Sequence, residues 1–249
     1  RVLQENLPAM KTFVDYMKKT STDLVPKAGL GDWYDSGHGK GSGPAKFTPA
    51  TLTAMATFYR CADIVSKTAA VLGDKKDAET YRKLAAEIRT KFNAKFYAGN
   101  GQYTNHGSCQ TANAMALVTG LCEPENEQTV LEAILADLKK RGYQQTAGDV
   151  GFHYLVEALG RNGCDETVSK VLNRRNEGSY GFIIDRGWSA LPEAWDANTG
   201  ASMNHCMLGH AQQWFYMNVL GIQQSEDSAG FRKLVIKPAL VSGLDWAKG

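Results

Sequence analysis

Apolar residues recur at three- and four-residue spacing along most of the chain, and each run stops at a short polar or glycine-bearing break. Val2 to Lys19 places Val2, Leu3, Leu7, Met10, Phe13, Val14 and Met17 on one face, which predicts a helix either kinked at Pro8 or starting there. Thr48-Pro49 reads as a threonine cap with proline in the first turn, opening a helix to about Leu72 with Leu52, Met55, Ala56, Tyr59, Ala62, Ile64 and Val65 near its buried face. After Gly73-Asp74 a second helix runs from Asp77 to Phe96 with Tyr81, Leu84, Ala85, Ile88 and Phe92 in register. So short a link between two long helices makes an antiparallel hairpin. The helical pattern returns over Cys109–Leu121, Glu127–Lys140, Val150–Leu159, Cys164–Asn173 and, rich in aromatics, Met203–Leu220. Gln102 to Ser108 reads as a short extended piece, and Phe231 to Pro238 alternates in the manner of a strand.

The breaks alternate between short and long. The long ones, Leu24–Lys46, Gly99–Ser108, Gly142–Gly148 and Glu177–Ser202, are too rich in glycine and polar residues for regular structure. An all-α toroid of helical hairpins arises when short links close one end and long loops gather at the other, where they form a pocket. No fixed repeat period supports a solenoid. A helical bundle with unrelated surface loops is the competing arrangement.

At 249 residues with 43% hydrophobic content, the chain is long enough to bury one large core or two small ones. The formal net charge of +2 comes from interspersed acids and bases, so no basic stripe points to nucleic acid, and no apolar run is long enough to span a membrane. The five cysteines are widely spaced with no CxxC, which favours buried thiols over a zinc site or a disulfide framework. The chain opens mid-pattern on Arg1 and ends in a strand-like segment, so we expect a piece of a longer protein: residues 1–225 forming a partial helical domain and 226–249 the first strand and linker of a following β-domain.

Candidate chemistry concentrates between Ser179 and Gly209, where Trp188, Glu193, Trp195, Asp196 and His205 lie in a stretch with little helical period. A carboxylate framed by indoles suits a sugar site, because C–H faces stack on aromatic rings and acid–base work needs a tuned carboxylate. The same composition also suits a loop that plugs a core, and the residues alone do not choose. Asp32-Trp33, at the lip of the glycine-rich loop, is a second acid–indole pair. GHGKGSG (37–43) fits neither phosphate-cradle pattern, and the histidines lack metal-ligand spacing, so neither a cofactor nor a metal is expected. We read His210 as a hydrogen-bonded core histidine and His205, beside the acidic loop, as able to reach a pocket.

Taken together, GDW (31–33), SCQTANAMAL (108–117), GDVGFHYLVEAL (148–159), GWSALPEAWD (187–196) and SMNHCMLGHAQQWFYMNVLGI (202–222) resemble the catalytic domain of bacterial α-L-rhamnosidases. The resemblance implies an (α/α)6 barrel, incomplete in this chain, with the start of a C-terminal β-sandwich. It further implies a cofactor-free inverting glycoside hydrolase acting on terminal α-L-rhamnose of a glycan or glycoside, in the periplasm or outside the cell. By the same match Glu193 takes the place of the general base, Asp32 and Trp33 line the sugar pocket with Trp188 and Trp195, and His205 hydrogen-bonds sugar hydroxyls. The sequence departs from the family where Pro192 replaces a tryptophan before the glutamate and where GWSA replaces a run of small residues. The family's general-acid motif has no counterpart before Gly31, so we expect that acid in an N-terminal part of the same protein, with this chain alone nearly inactive. Other (α/α)-barrel glycosidases and a non-catalytic carbohydrate-binding domain are the alternatives.

Overall fold

A computed structural model describes residues 1–39, 43–104, 106–196 and 202–249. The middle of GHGKGSG and the end of the Glu177–Ser202 loop lie outside the described residues, as does residue 105 of the expected extended piece.

Helices α1 (Val2–Thr20), α2 (Ala50–Val71), α3 (Lys75–Phe96), α4 (Gln110–Thr119), α5 (Glu127–Lys140), α6 (Gly151–Arg161) and α7 (Asp165–Asn173) fall close to the runs marked by the apolar period. Helix α1 starts at Val2 and continues through Pro8, losing only the one backbone bond that the ring nitrogen cannot donate. The start of α2 differs from expectation. Pro49 itself occupies the cap position and Thr48 makes no cap bond, so the helix begins with no side-chain acceptor. Helix α3 has the stronger start: the Asp74 carboxylate accepts the Asp77 N–H at 3.0 Å.

Packing sorts these helices into two layers. Helix α2 packs on α4, α4 on α6 and α6 on the last helix, while α1 packs on the inner helix that follows it and α3, α5 and α7 each on the one just before. Burial follows the layers: every residue from Gln110 to Ala116 of α4 is buried, whereas α3 buries one stripe, Tyr81, Leu84, Ala85, Ile88 and Phe92. Each inner helix leads to its outer partner through a short link, and each outer helix returns through a long loop (21–49, 97–109, 141–150, 174–210). The long loops therefore meet at the N-terminal ends of the inner helices. This is the toroid arrangement, and it decides where a site can form.

The last segment departs from the sequence reading. Residues 203–210 are not helical, and the structure instead forms α8 (Tyr180–Asp185), capped by Ser179, and a single turn α9 (Ala211–Trp214) that passes into a π-helical turn over Phe215–Val219. The apolar residues of 203–210 reach the core from irregular backbone: Leu208 is fully buried, and its carbonyl accepts the Tyr180 hydroxyl. Strand β1 (Ile222–Gln224) pairs antiparallel with β2 (Leu234–Ile236), Gln223 opposite Val235. All three residues of β2 are exposed. Among the described residues the five cysteines are unbridged; Cys109 and Cys122 are buried, but Cys206 is exposed, unlike the buried thiol expected there.

Candidate functional site

The rim of long loops is organised by Asp32. Its side chain is completely inaccessible, and its two oxygens accept four hydrogen bonds: Thr111 Oγ1 (2.7 Å) and Gly148 N–H (2.9 Å) on Oδ2, and Val150 N–H (3.1 Å) and Gly151 N–H (2.7 Å) on Oδ1. One carboxylate thereby ties the α1–α2 loop to the starts of α4 and α6. Burial pushes the Asp32 pKa up, and the bonds from Gly148, Thr111 and Gly151 oppose that shift. The cage needs glycine at both ends of the GDVG turn. A Cβ on Gly151 would overlap Thr111 Oγ1 and Asp32 Oδ2, and one on Gly148 would overlap the Trp33 carbonyl. Asp35 plays a similar part, accepting the Lys46 and Phe47 N–H groups (2.7 and 2.8 Å) and pairing with His38 (3.0 Å).

Trp195 is the second brace. At 1% exposure it stands edge-on to Phe152, with ring centroids 4.9 Å apart, and its indole N–H donates to the Ala147 carbonyl at 2.9 Å. The sequence reading put Asp32 and Trp195 in the wall of a sugar pocket. Asp32 is inaccessible and spends both oxygens on the chain, so it braces the loops instead of offering surface to a ligand; Trp195, packed on Phe152, still lends an edge to a small cleft.

The predicted residues with free surface are Trp33, Trp188, Glu193 and His205, all half-buried. Glu193 lies in a two-sided loop: its N–H donates to the Ser202 carbonyl (2.8 Å), the Ser202 N–H returns to Glu193 Oε2 (3.0 Å), and the His205 N–H donates to the Leu191 carbonyl (2.8 Å). These bonds set Ser202 opposite Glu193 and His205 opposite Leu191, on the two sides of one loop. Trp33 joins the same place through its carbonyl, which accepts the Asp149 N–H at 2.8 Å. The Trp188 ring packs beside the Arg186 guanidinium, 5.7 Å away, at the end of α8.

Asp149 is the residue that the sequence reading passed over. It is 6% exposed, and its pKa is pushed up to about 7, first by burial and then by the negative charges of Asp32 and Glu193, with His205 pulling the other way. Two carboxyl groups and an imidazole therefore interact electrostatically where the loops converge. The signal available in the sequence was an acid between a glycine and a short turn at a helix start, a place where loops carry chemistry.

Two clefts help locate the site. A shallow depression with room for about 20 Å³, lined by Tyr34, Asp35, His38, Glu177, Trp195 and Asp196, adjoins the Glu193 loop. A larger cleft runs along α6 and the π-helical turn and includes none of the predicted residues. Its acids are committed. Glu157 pairs with His153 (3.0 Å) and Arg161, which hold its pKa down against burial, and Asp165 accepts the Trp214 indole N–H at 2.7 Å. His210, expected to be a hydrogen-bonded core histidine, instead borders this cleft half-buried, its Nδ1 without a partner among the described residues and burial lowering its pKa to about 4. A hydrolytic base is better sought on the loop rim. Among the described residues no group of three or more histidine, cysteine, aspartate or glutamate side chains is arranged to hold a metal ion.

The family model for the bacterial alpha-L-rhamnosidase 6 hairpin glycosidase domain matches residues 1–219. The chain belongs to this family. It is 28% identical over 248 residues to an alpha-L-rhamnosidase of Streptomyces avermitilis, a match covering 96% of this chain and 23% of that protein. A second relative, from Formosa agariphila, is 27% identical over 251 residues and is covered to 26% of its length. Among solved structures, the alpha-L-rhamnosidase of Dictyoglumus thermophilum superposes with a TM-score of 0.88 at 30% identity, covering 97% of this chain and 27% of that one. The Streptomyces avermitilis enzyme complexed with L-rhamnose superposes at 0.86 with 27% identity, covering 97% of this chain and 23% of that one. The chain thus spans about a quarter of the length of the curated relatives it matches. Its hairpins are those of the six-hairpin barrel of the rhamnosidases, a glycoside hydrolase fold.

Proposed function

We propose that this domain supplies the water-activating side of an inverting α-L-rhamnosidase site, with Glu193 as general base and a terminal α-L-rhamnose of a glycan or glycoside as substrate. The observation that carries this reading is the state of the Glu193 carboxylate. The buried rim acids Asp32 and Asp35 are saturated by the chain, whereas Glu193 is half-exposed and held at Oε2 by the Ser202 backbone N–H.

A base in that state can take a proton from a water molecule as the water attacks the anomeric carbon. The leaving oxygen must be protonated from the opposite face, by a carboxylic acid about 6.5–9.5 Å from the base. The relatives are roughly four times as long as this chain, and we place the partner acid elsewhere in the full-length protein. Trp33 and His205 are proposed sugar contacts, the indole offering its half-exposed face and the imidazole a hydrogen bond to hydroxyls.

Proton NMR of early time points tests the stereochemistry. With the full-length protein and an aryl α-L-rhamnoside, β-L-rhamnose is expected to appear first and then mutarotate. Initial release of the α anomer would overturn the assignment of Glu193 as a base, because retention requires a nucleophile there.

A further inference from the structure

Three acids of the loop rim are at least nine-tenths buried: Asp32, Asp35 and Asp149. The first two spend their oxygens on backbone amides and neighbouring side chains. Asp149 does not. Its Oδ1 is buried with no hydrogen-bond partner among the described residues, and the amides around it are already used, Gly148, Val150 and Gly151 by Asp32 and its own by the Trp33 carbonyl. A buried carboxyl oxygen without a partner is costly, and native structures keep such groups where something else binds them.

We propose that Asp149 is a further substrate-contacting residue of this site, its carboxyl group hydrogen-bonding a hydroxyl of the monosaccharide held in front of Glu193. The inference rests on the Glu193 reading given above. The charged and titratable groups acting on Asp149 are Asp32 from the α1–α2 loop and Glu193 and His205 from the last loop. Burial and the two acids favour its neutral form up to about pH 7. A neutral carboxylic acid donates one hydrogen bond and accepts others, which matches a sugar hydroxyl, and it adds no second negative charge beside Glu193.

The test is calorimetric binding of L-rhamnose to the full-length protein and to its Asp149→Asn, Asp149→Ala and Glu193→Gln variants, with hydrolysis of an aryl α-L-rhamnoside measured in parallel. Asp149→Ala should weaken binding by about tenfold or more. Wild-type affinity should fall between about pH 5.5 and about pH 8.5 as the donor proton is lost, whereas Asp149→Asn should keep the low-pH affinity throughout. That comparison separates a sugar contact from a purely structural role, which would leave the pH dependence of binding unchanged by Asn. Wild-type binding in Asp149→Ala, or an unaltered pH dependence in Asp149→Asn, overturns the inference while Glu193→Gln still abolishes turnover. If the wild-type protein neither binds L-rhamnose nor cleaves the rhamnoside, the Glu193 reading fails and this inference falls with it.

Discussion

At the scale of the residue, burial decides what an acid can do, and sequence shows burial poorly. Asp32, Asp149 and Glu193 all stand in short polar motifs beside glycine or tryptophan, yet one is a cross-brace, one a buried acid lacking an Oδ1 partner and one a half-exposed acid. The distinction lies in which backbone amides point at each carboxylate, a property of the folded loops. Trp195 illustrates the same limit, since an indole suited to a sugar face serves equally well as a plug against Phe152. The raised pKa of Asp149 has a consequence for stability. Between its ordinary 3.8 and about 7 the native state holds a proton that the unfolded chain has released, so this group's contribution to stability falls as pH rises through that window and is level above it. Asp149→Asn has no such loss. Denaturant unfolding should show the variant gaining on wild type from about pH 4 upward, reaching a plateau above about pH 7 of at most about 4 kcal/mol. A difference that stays constant with pH would contradict the assignment of that proton to Asp149.

At the scale of the element, most of the helical toroid was legible. The three-to-four spacing located α1 to α7, and the alternation of short and long breaks put the long loops at one rim, because both follow from local periodicity and chain connectivity. Residues 203–210 were misread for a physical reason: Met207, Leu208 and Ala211 have helical spacing, but the loop returning to Leu191 and Glu193 takes the His205 N–H, so helix starts only at Ala211. The spacing of the GDVG turn was also opaque. Gly148 and Gly151 are fixed by close approach to Trp33, Thr111 and Asp32, and no local pattern reports a contact between positions more than a hundred residues apart. Gly151→Ala should break the Asp32 cage and destabilise the domain by about 2–4 kcal/mol, the size of an overpacked buried site with disrupted charged hydrogen bonds. Thermal unfolding compared with Gly163→Ala measures it. Position 163 has open space around its Cβ but a φ of +67°, so any loss there reports backbone strain alone. Gly151 is helical with no positive φ, so a Gly151→Ala midpoint equal to wild type would mean that the cage adds no stability.

At the scale of the whole molecule, the ring of paired helices explains why residues as distant in sequence as Trp33, Asp149, Glu193 and His205 share one rim: each lies on a connection that returns from an outer helix to an inner one. The family match and the superposition on rhamnosidase structures fix the architecture, and within it the Glu193 loop offers a half-exposed acid on the rim. The most direct test is Glu193→Gln in the full-length protein, with aryl α-L-rhamnoside turnover and L-rhamnose affinity measured on the same preparation. The account predicts turnover lower by about 100-fold to 10,000-fold, the usual worth of a general base, with affinity for the free sugar within about threefold of wild type. Turnover close to wild type would contradict it.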